Sequence, residues 1–73
     1  MDDLALIEVD GNRLQHYREL RNLSQSAAAE RVGRTKQAIS KYEQGRATPP
    51  GEVLARLCIL YEINITDITK KVA

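Results

Sequence analysis

Apolar residues recur along this chain at intervals of three and four, in short bursts separated by glycine, proline and cap-forming residues. That period is the signature of amphipathic helices, and the interruptions mark where each one begins and ends. Asp10 or Asn12 can cap a first helix running to about Arg21, with Leu14, Tyr17, Arg18 and Arg21 along its inner face. Ser24 is a cap for a second, Gln25 to Val32, although Ala27 stands where a capping-box glutamate would be. Gly33 ends it, and Thr35 caps a third that continues to Glu43 or Gln44 before Gly45. Pro49-Pro50-Gly51 makes a turn and the first turn of a fourth helix, where missing amide donors do no harm; its inner stripe is Val53, Leu54, Leu57, Cys58, Leu60 and Tyr61. Asn64, with Asp67 three positions later, opens a short fifth helix with Ile65, Ile68 and Val72 facing inward. The pattern predicts a compact, all-α domain of five helices. Leu4 to Val9 is apolar and precedes an Asp-Gly turn signal; it can pair as a strand with a second copy, cover the core or stay loose.

At 73 residues the chain holds one domain with a marginal core. It has no Phe or Trp, so Tyr17, Tyr42 and Tyr61 supply all aromatic packing. One cysteine, Cys58, and one histidine, His16, can make neither an internal disulfide nor a zinc site, which leaves subunit association as the remaining remedy for a thin core. No cofactor or metal is expected. The acidic first ten residues lack the cationic start and apolar run of an export signal, and no segment approaches membrane-spanning length, so a cytoplasmic protein is expected. No phosphate-cradling glycine loop, paired-carboxylate motif or partnered histidine supports catalysis, and no small-molecule ligand is evident.

The formal charge of +1 conceals a segregation. Residues 1–10 carry Asp2, Asp3, Glu8 and Asp10 without a cation, whereas residues 13–46 carry eight cations against three acids, a net +5. A basic band in a near-neutral protein suits a polyanion.

Within that band, small residues cluster where the second and third helices must meet. Two helices joined by a tight turn approach closely only if the crossing residue is small, which gives Ala29 and Gly33 geometric roles and makes Ile39 the plug between them. Placing Ile39 inward puts Thr35, Tyr42 and Glu43 on the inner side of the third helix and Arg34, Gln37, Lys41 and Gln44 on the outer one. Gln37 and Lys41, one turn apart, carry the groups that hydrogen-bond adenine and guanine edges in a major groove. Glu43 then needs a buried partner, and Arg18 on the inner face of the first helix is expected to supply it.

The run Gln25, Ala29, Gly33, Ile39-Ser40 resembles the helix-turn-helix of the lambdoid phage repressor and Cro family, the xenobiotic-response-element type of regulator. Leu14-Gln-His-Tyr-Arg18, Ser24-Gln25, Ser40-Lys-Tyr-Glu43-Gln-Gly45-Arg46 and Pro49 extend the likeness over roughly residues 11–69. The resemblance implies base reading from Thr35, Lys36, Gln37 and Lys41, with Lys36 resting on the resemblance alone. It also implies an Arg18–Glu43 ion pair and a symmetric dimer on double-stranded DNA. Phosphate contacts are expected from Gln25, Gln44 and Arg46, more weakly from Arg34 and Thr48. Three departures stand out: Ala28 replaces a usual leucine, Glu62 takes a helix-end position usually held by glycine or asparagine, and Ala47-Thr48-Pro49 replaces further cations. The expected organisation is an arm over residues 1–10 and a DNA-binding domain over 11–73, a repressor reading its operator as a dimer. The alternative is a protein-binding module of the same fold, such as an antitoxin or small adaptor.

Overall fold

The computed structural model describes residues 7–71. A strand β1 (Ile7–Val9) leads into helices α1 (Gly11–Leu20), α2 (Gln25–Val32), α3 (Lys36–Glu43) and α4 (Gly51–Tyr61). A 3-10 turn over Ile65–Ile68 and a strand β2 (Thr69–Lys71) follow.

The first three helices start where a side-chain oxygen takes over an orphan amide, whereas α4 starts at Pro50 without a side-chain cap. Asp10 accepts from the Asn12 and Arg13 amides at 3.0 and 3.4 Å, Ser24 from Ala27 at 3.0 Å, and Thr35 from Ala38 at 3.1 Å. Gly33 ends α2 in the left-handed region, at φ 72°, where the Arg34 amide donates back to the Ala29 carbonyl at 2.9 Å. Glu62 ends α4 in the same conformation, at φ 59°, without the freedom glycine would have there.

The core is small and drawn from the four helices and the 3-10 turn: Leu14, Ala28, Ala29, Val32, Ile39, Tyr42, Val53, Leu57, Tyr61 and Ile68 are all buried. Ala28 is fully enclosed, so a methyl suffices where α2 lies close to its neighbours. Val53, Leu57 and Tyr61 form the inner line of α4, with Leu54, Cys58 and Leu60 packed partly against it.

The helix count and the inward placing of Ile65 need correction. The protein has four α-helices rather than five, because the Asn64 segment makes only a 3-10 turn before running out as a strand. Its β-branched run Ile65-Thr66, Ile68-Thr69 resists a longer helix. Ile68 is buried there, but Ile65 is 46% exposed rather than inward; Val72 lies outside the described residues. The apolar arm also finds a partner inside its own chain. Ile7–Val9 pairs antiparallel with Thr69–Lys71, Val9 opposite Thr69, and Lys70 approaches Glu8 at 3.7 Å. Leu4, Ala5 and Leu6 lie outside the described residues. Where the ribbon meets α1, the Asp10 amide donates to the Ile68 carbonyl at 2.7 Å.

Gly11 begins α1 against the end of α3. A Cβ there would sit 2.5 Å from the Glu43 carbonyl oxygen and 2.6 Å from that of Tyr42, both backbone atoms that cannot swing away. Gly11→Ala is therefore expected to lower stability in urea titration by about 1–3 kcal/mol, the range for overpacking. Gly51→Ala, with nothing within 4 Å of the new methyl, should leave it unchanged or slightly higher.

Candidate nucleic-acid interface

Helix α3 has one face it must bury and another it has no reason to. Ile39, Tyr42 and Glu43 are buried, while Lys36, Gln37, Lys41 and Gln44 are exposed. Thr35 departs from the helical wheel: as the cap it sits in extended backbone and is exposed rather than inward. Among the described residues, neither Gln37 nor Lys41 makes a side-chain hydrogen bond or ion pair. Their polar ends are free on adjacent turns. Gln44 instead donates to the Ser40 hydroxyl at 2.7 Å and accepts from Arg46 at 3.3 Å, a chain that leads off the end of the helix to the Gly45 turn. Arg34 is exposed in the turn between α2 and α3.

Beneath this face lies a buried polar knot. Arg18 Nε donates to Glu43 Oε2 at 2.7 Å and Nη2 to Oε1 at 3.1 Å. The remaining Arg18 nitrogen, Nη1, donates to the Leu23 carbonyl at 2.7 Å. Gln25 donates its amide to Glu43 Oε1 at 3.0 Å, so one N–H that the sequence assigned to a phosphate is spent inside. Arg18 and Glu43 are 7% and 6% exposed, and no buried side-chain polar atom among the described residues lacks a partner. Hydrogen bonding to Glu43 raises the Arg18 pKa against the opposing pull of burial. The knot joins α1, the α1–α2 link, the start of α2 and the end of α3, which fixes how far and at what angle α3 projects.

Two supporting residues escaped the sequence reading. Gly11 was legible only as a turn residue, since nothing local reveals the backbone that passes it. Arg56 reaches from α4 to donate to the Val32 carbonyl at 3.3 Å, a cation at the C-terminal end of α2 beside the Gly33 turn. Arg21, placed inward by its period, is exposed but does donate through Nε to the Tyr61 carbonyl at 2.9 Å. His16 is exposed, with its ring edge-on to Tyr17. A recess of about 260 Å³ between β1, β2 and the end of α3 is walled by Glu8 and Asp10 as well as Lys70; those carboxylates disfavour a phosphate there. No group of three or more potential metal-ligating side chains gathers among the described residues, and no described helix is long and apolar enough to cross a membrane.

A capped helix, a left-handed glycine turn and a second helix locked by its inner face define a helix-turn-helix protein. A family model described as a helix-turn-helix domain matches residues 11–67, and the chain belongs to that family. It is 36% identical over 63 residues to an HTH-type transcriptional regulator of Archaeoglobus fulgidus, a match covering 85% of this chain but 28% of that protein. A second HTH-type regulator, from Methanocaldococcus jannaschii, is 32% identical over 57 residues, covering 78% of this chain and 86% of its own length. Among solved structures, the P22 c2 repressor in complex with a synthetic operator superposes with a TM-score of 0.73 at 28% identity, covering 78% of this chain and 86% of that one. The restriction-modification controller protein C.AhdI of Aeromonas hydrophila shares the fold, with a TM-score of 0.72 at 23% identity, over 78% and 86% of the two chains.

The knot makes two predictions. Arg18→Met should cost about 3–5 kcal/mol in urea titration by stranding the Glu43 carboxylate, and Arg18→Met/Glu43→Leu should recover most of that loss. Burial, aided by Glu43, pushes the Tyr61 phenol up to about 12, against about 10 in an unfolded chain. Folding therefore favours the neutral phenol. That contribution is intact below pH 10 and is lost as pH rises from about 10 to 12; Tyr61→Phe should flatten the alkaline limb of stability against pH.

Proposed function

We propose that this protein is a sequence-specific DNA-binding transcriptional regulator, a repressor that occupies its operator as a homodimer with α3 in the major groove. One observation carries the reading. Gln37 and Lys41 stand free on the outer face of a helix whose inner face is pinned by Ile39 and the Arg18–Glu43 pair. A glutamine amide suits adenine and a lysine suits guanine, and a rigid helix holds both at a fixed spacing. Thr35 and Lys36 extend this reading face at the end of α3 that enters the groove first. Family membership and the operator-bound c2 repressor of the same fold support it.

In this reading Gln25, Arg34, Gln44 and Arg46 hold phosphates. Gln25 does so with what its bond to Glu43 leaves over, and Arg46 lies just past the Gly45 turn. The protein works where its DNA lies, in the cytoplasm, with residues 11–73 as the binding domain and 1–10 as an arm of which β1 is the inner end.

Selection of bound sequences from a random duplex pool at fixed salt should return a palindromic consensus. Against that consensus, Gln37→Ala and Lys41→Ala should each weaken binding by about 1–3 kcal/mol and relax preference at one base position, with the fold intact. Arg46→Ala should weaken all duplexes alike and reduce the slope of log affinity against log salt by about one. Variants of Gln37 and Lys41 that bind every duplex as the parent does would favour a protein-binding role for the same fold.

A further inference from the structure

The outer face of α4 is charged apart from Ala55 and a large apolar side chain at its centre. Glu52, Ala55, Arg56, Ile59 and Glu62 follow one another at helical spacing, and all are exposed. Ile59, at the centre of this stripe, is 77% exposed, more than any other large apolar residue described. Beside it lies a groove of about 240 Å³ between α2 and α4, lined by Arg31, Arg56, Ile59 and Leu60. Ile59 and Leu60 give that groove an apolar wall that a second apolar side chain could cover.

We infer that this face is the homodimer contact, formed with a second copy of this chain so that each Ile59 enters the groove of the other; the inference rests on the dimeric reading above. Knob and groove share one surface, as a two-fold, isologous interface requires. The charges agree with that symmetry. When two α4 helices run antiparallel and cross at Ile59, Arg56, three residues before it, comes opposite the partner's Glu62, three residues after it; within the chain Arg56 also meets Glu52 at 3.3 Å and the Val32 carbonyl, and Glu62 meets Arg21 at 3.9 Å, both ion pairs exposed. The crossing thus makes two opposite-charge pairs around an apolar centre, which is the usual anatomy of a contact whose rim fixes register. A parallel crossing would instead set Arg56 against Arg56 and Glu62 against Glu62. An 11-residue helix is only about 16 Å long, so one such face falls short of the roughly 800 Å² per partner of a standard interface. The free dimer is accordingly weak, and two half-sites on one duplex hold it together.

The test is sedimentation equilibrium of the full chain from about 1 µM to 1 mM, the range of weak self-association. The parent should pass from monomer to dimer, and Ile59→Asp should weaken that step at least about tenfold. Circular dichroism checks that the variants are folded. Arg56→Glu and Glu62→Arg should each self-associate more weakly than the parent, because each sets like charges opposite one another. Mixed in equal amounts, they should form a heterodimer tighter than either homodimer, since both crossings then become attractive. A loss of folding in either variant could not produce that recovery. A parent monomeric throughout the range and on its selected operator would overturn the dimeric reading and this surface together. An Ile59→Asp chain that dimerises like the parent, or a mixture no tighter than its components, would overturn the surface alone.

Discussion

The bidentate pair between Arg18 and Glu43 is the constraint on which the setting of α3 depends. It is the place where three helices and a link are held at once, and every guanidinium nitrogen has a partner: Nε and Nη2 on Glu43, Nη1 on the Leu23 carbonyl, with the Gln25 amide sharing Glu43 Oε1 with Nη2. A buried ion pair gives little net stability, because desolvation offsets attraction. What it gives here is uniqueness. Glu43 is the last residue of α3 and can be buried only where Arg18 meets it, so the helix cannot rotate to hide Gln37 or Lys41 without stranding a charge.

That constraint matters more because the core is thin. Several of its members are alanine or valine, and the larger ones include Tyr61, Leu14, Ile39, Leu57 and Ile68. Such a core tolerates shifts that a larger one would resist. Fixed backbone contacts compensate: Gly11 lets the start of α1 press against the carbonyls that end α3, and Arg56 closes the end of α2. The β1–β2 ribbon then joins the two ends of the described chain over Ile68.

Most of the helical frame was legible because its determinants are local. Ser24, Thr35 and Asp10 are cap oxygens a few residues from the amides they serve, and Gly33 and Gly45 adopt the positive φ that ends a helix. Arg18 and Glu43 could be set facing each other because two helical periods and the cost of a buried carboxylate decide it. What escaped was long-range. The ribbon pairs residues about sixty positions apart, and a three-residue strand carries no alternation strong enough to announce its partner. Ile65 turned outward because a 3-10 turn of four residues cannot keep the α-helical period assumed for it. Gly11 and Arg56 act on backbone supplied by distant segments, which no local pattern encodes.

The central claim is that the outer face of α3 meets DNA while the knot beneath it stays shut. Amide and side-chain NMR of the labelled protein, titrated with its selected operator duplex, tests it most directly. The account predicts the largest shifts at Thr35, Lys36, Gln37 and Lys41, with the Arg18 Nε proton keeping its hydrogen-bonded position. Shifts concentrated elsewhere with α3 silent, or an Arg18 signal that moves to a solvent-exposed position as DNA is added, would contradict it.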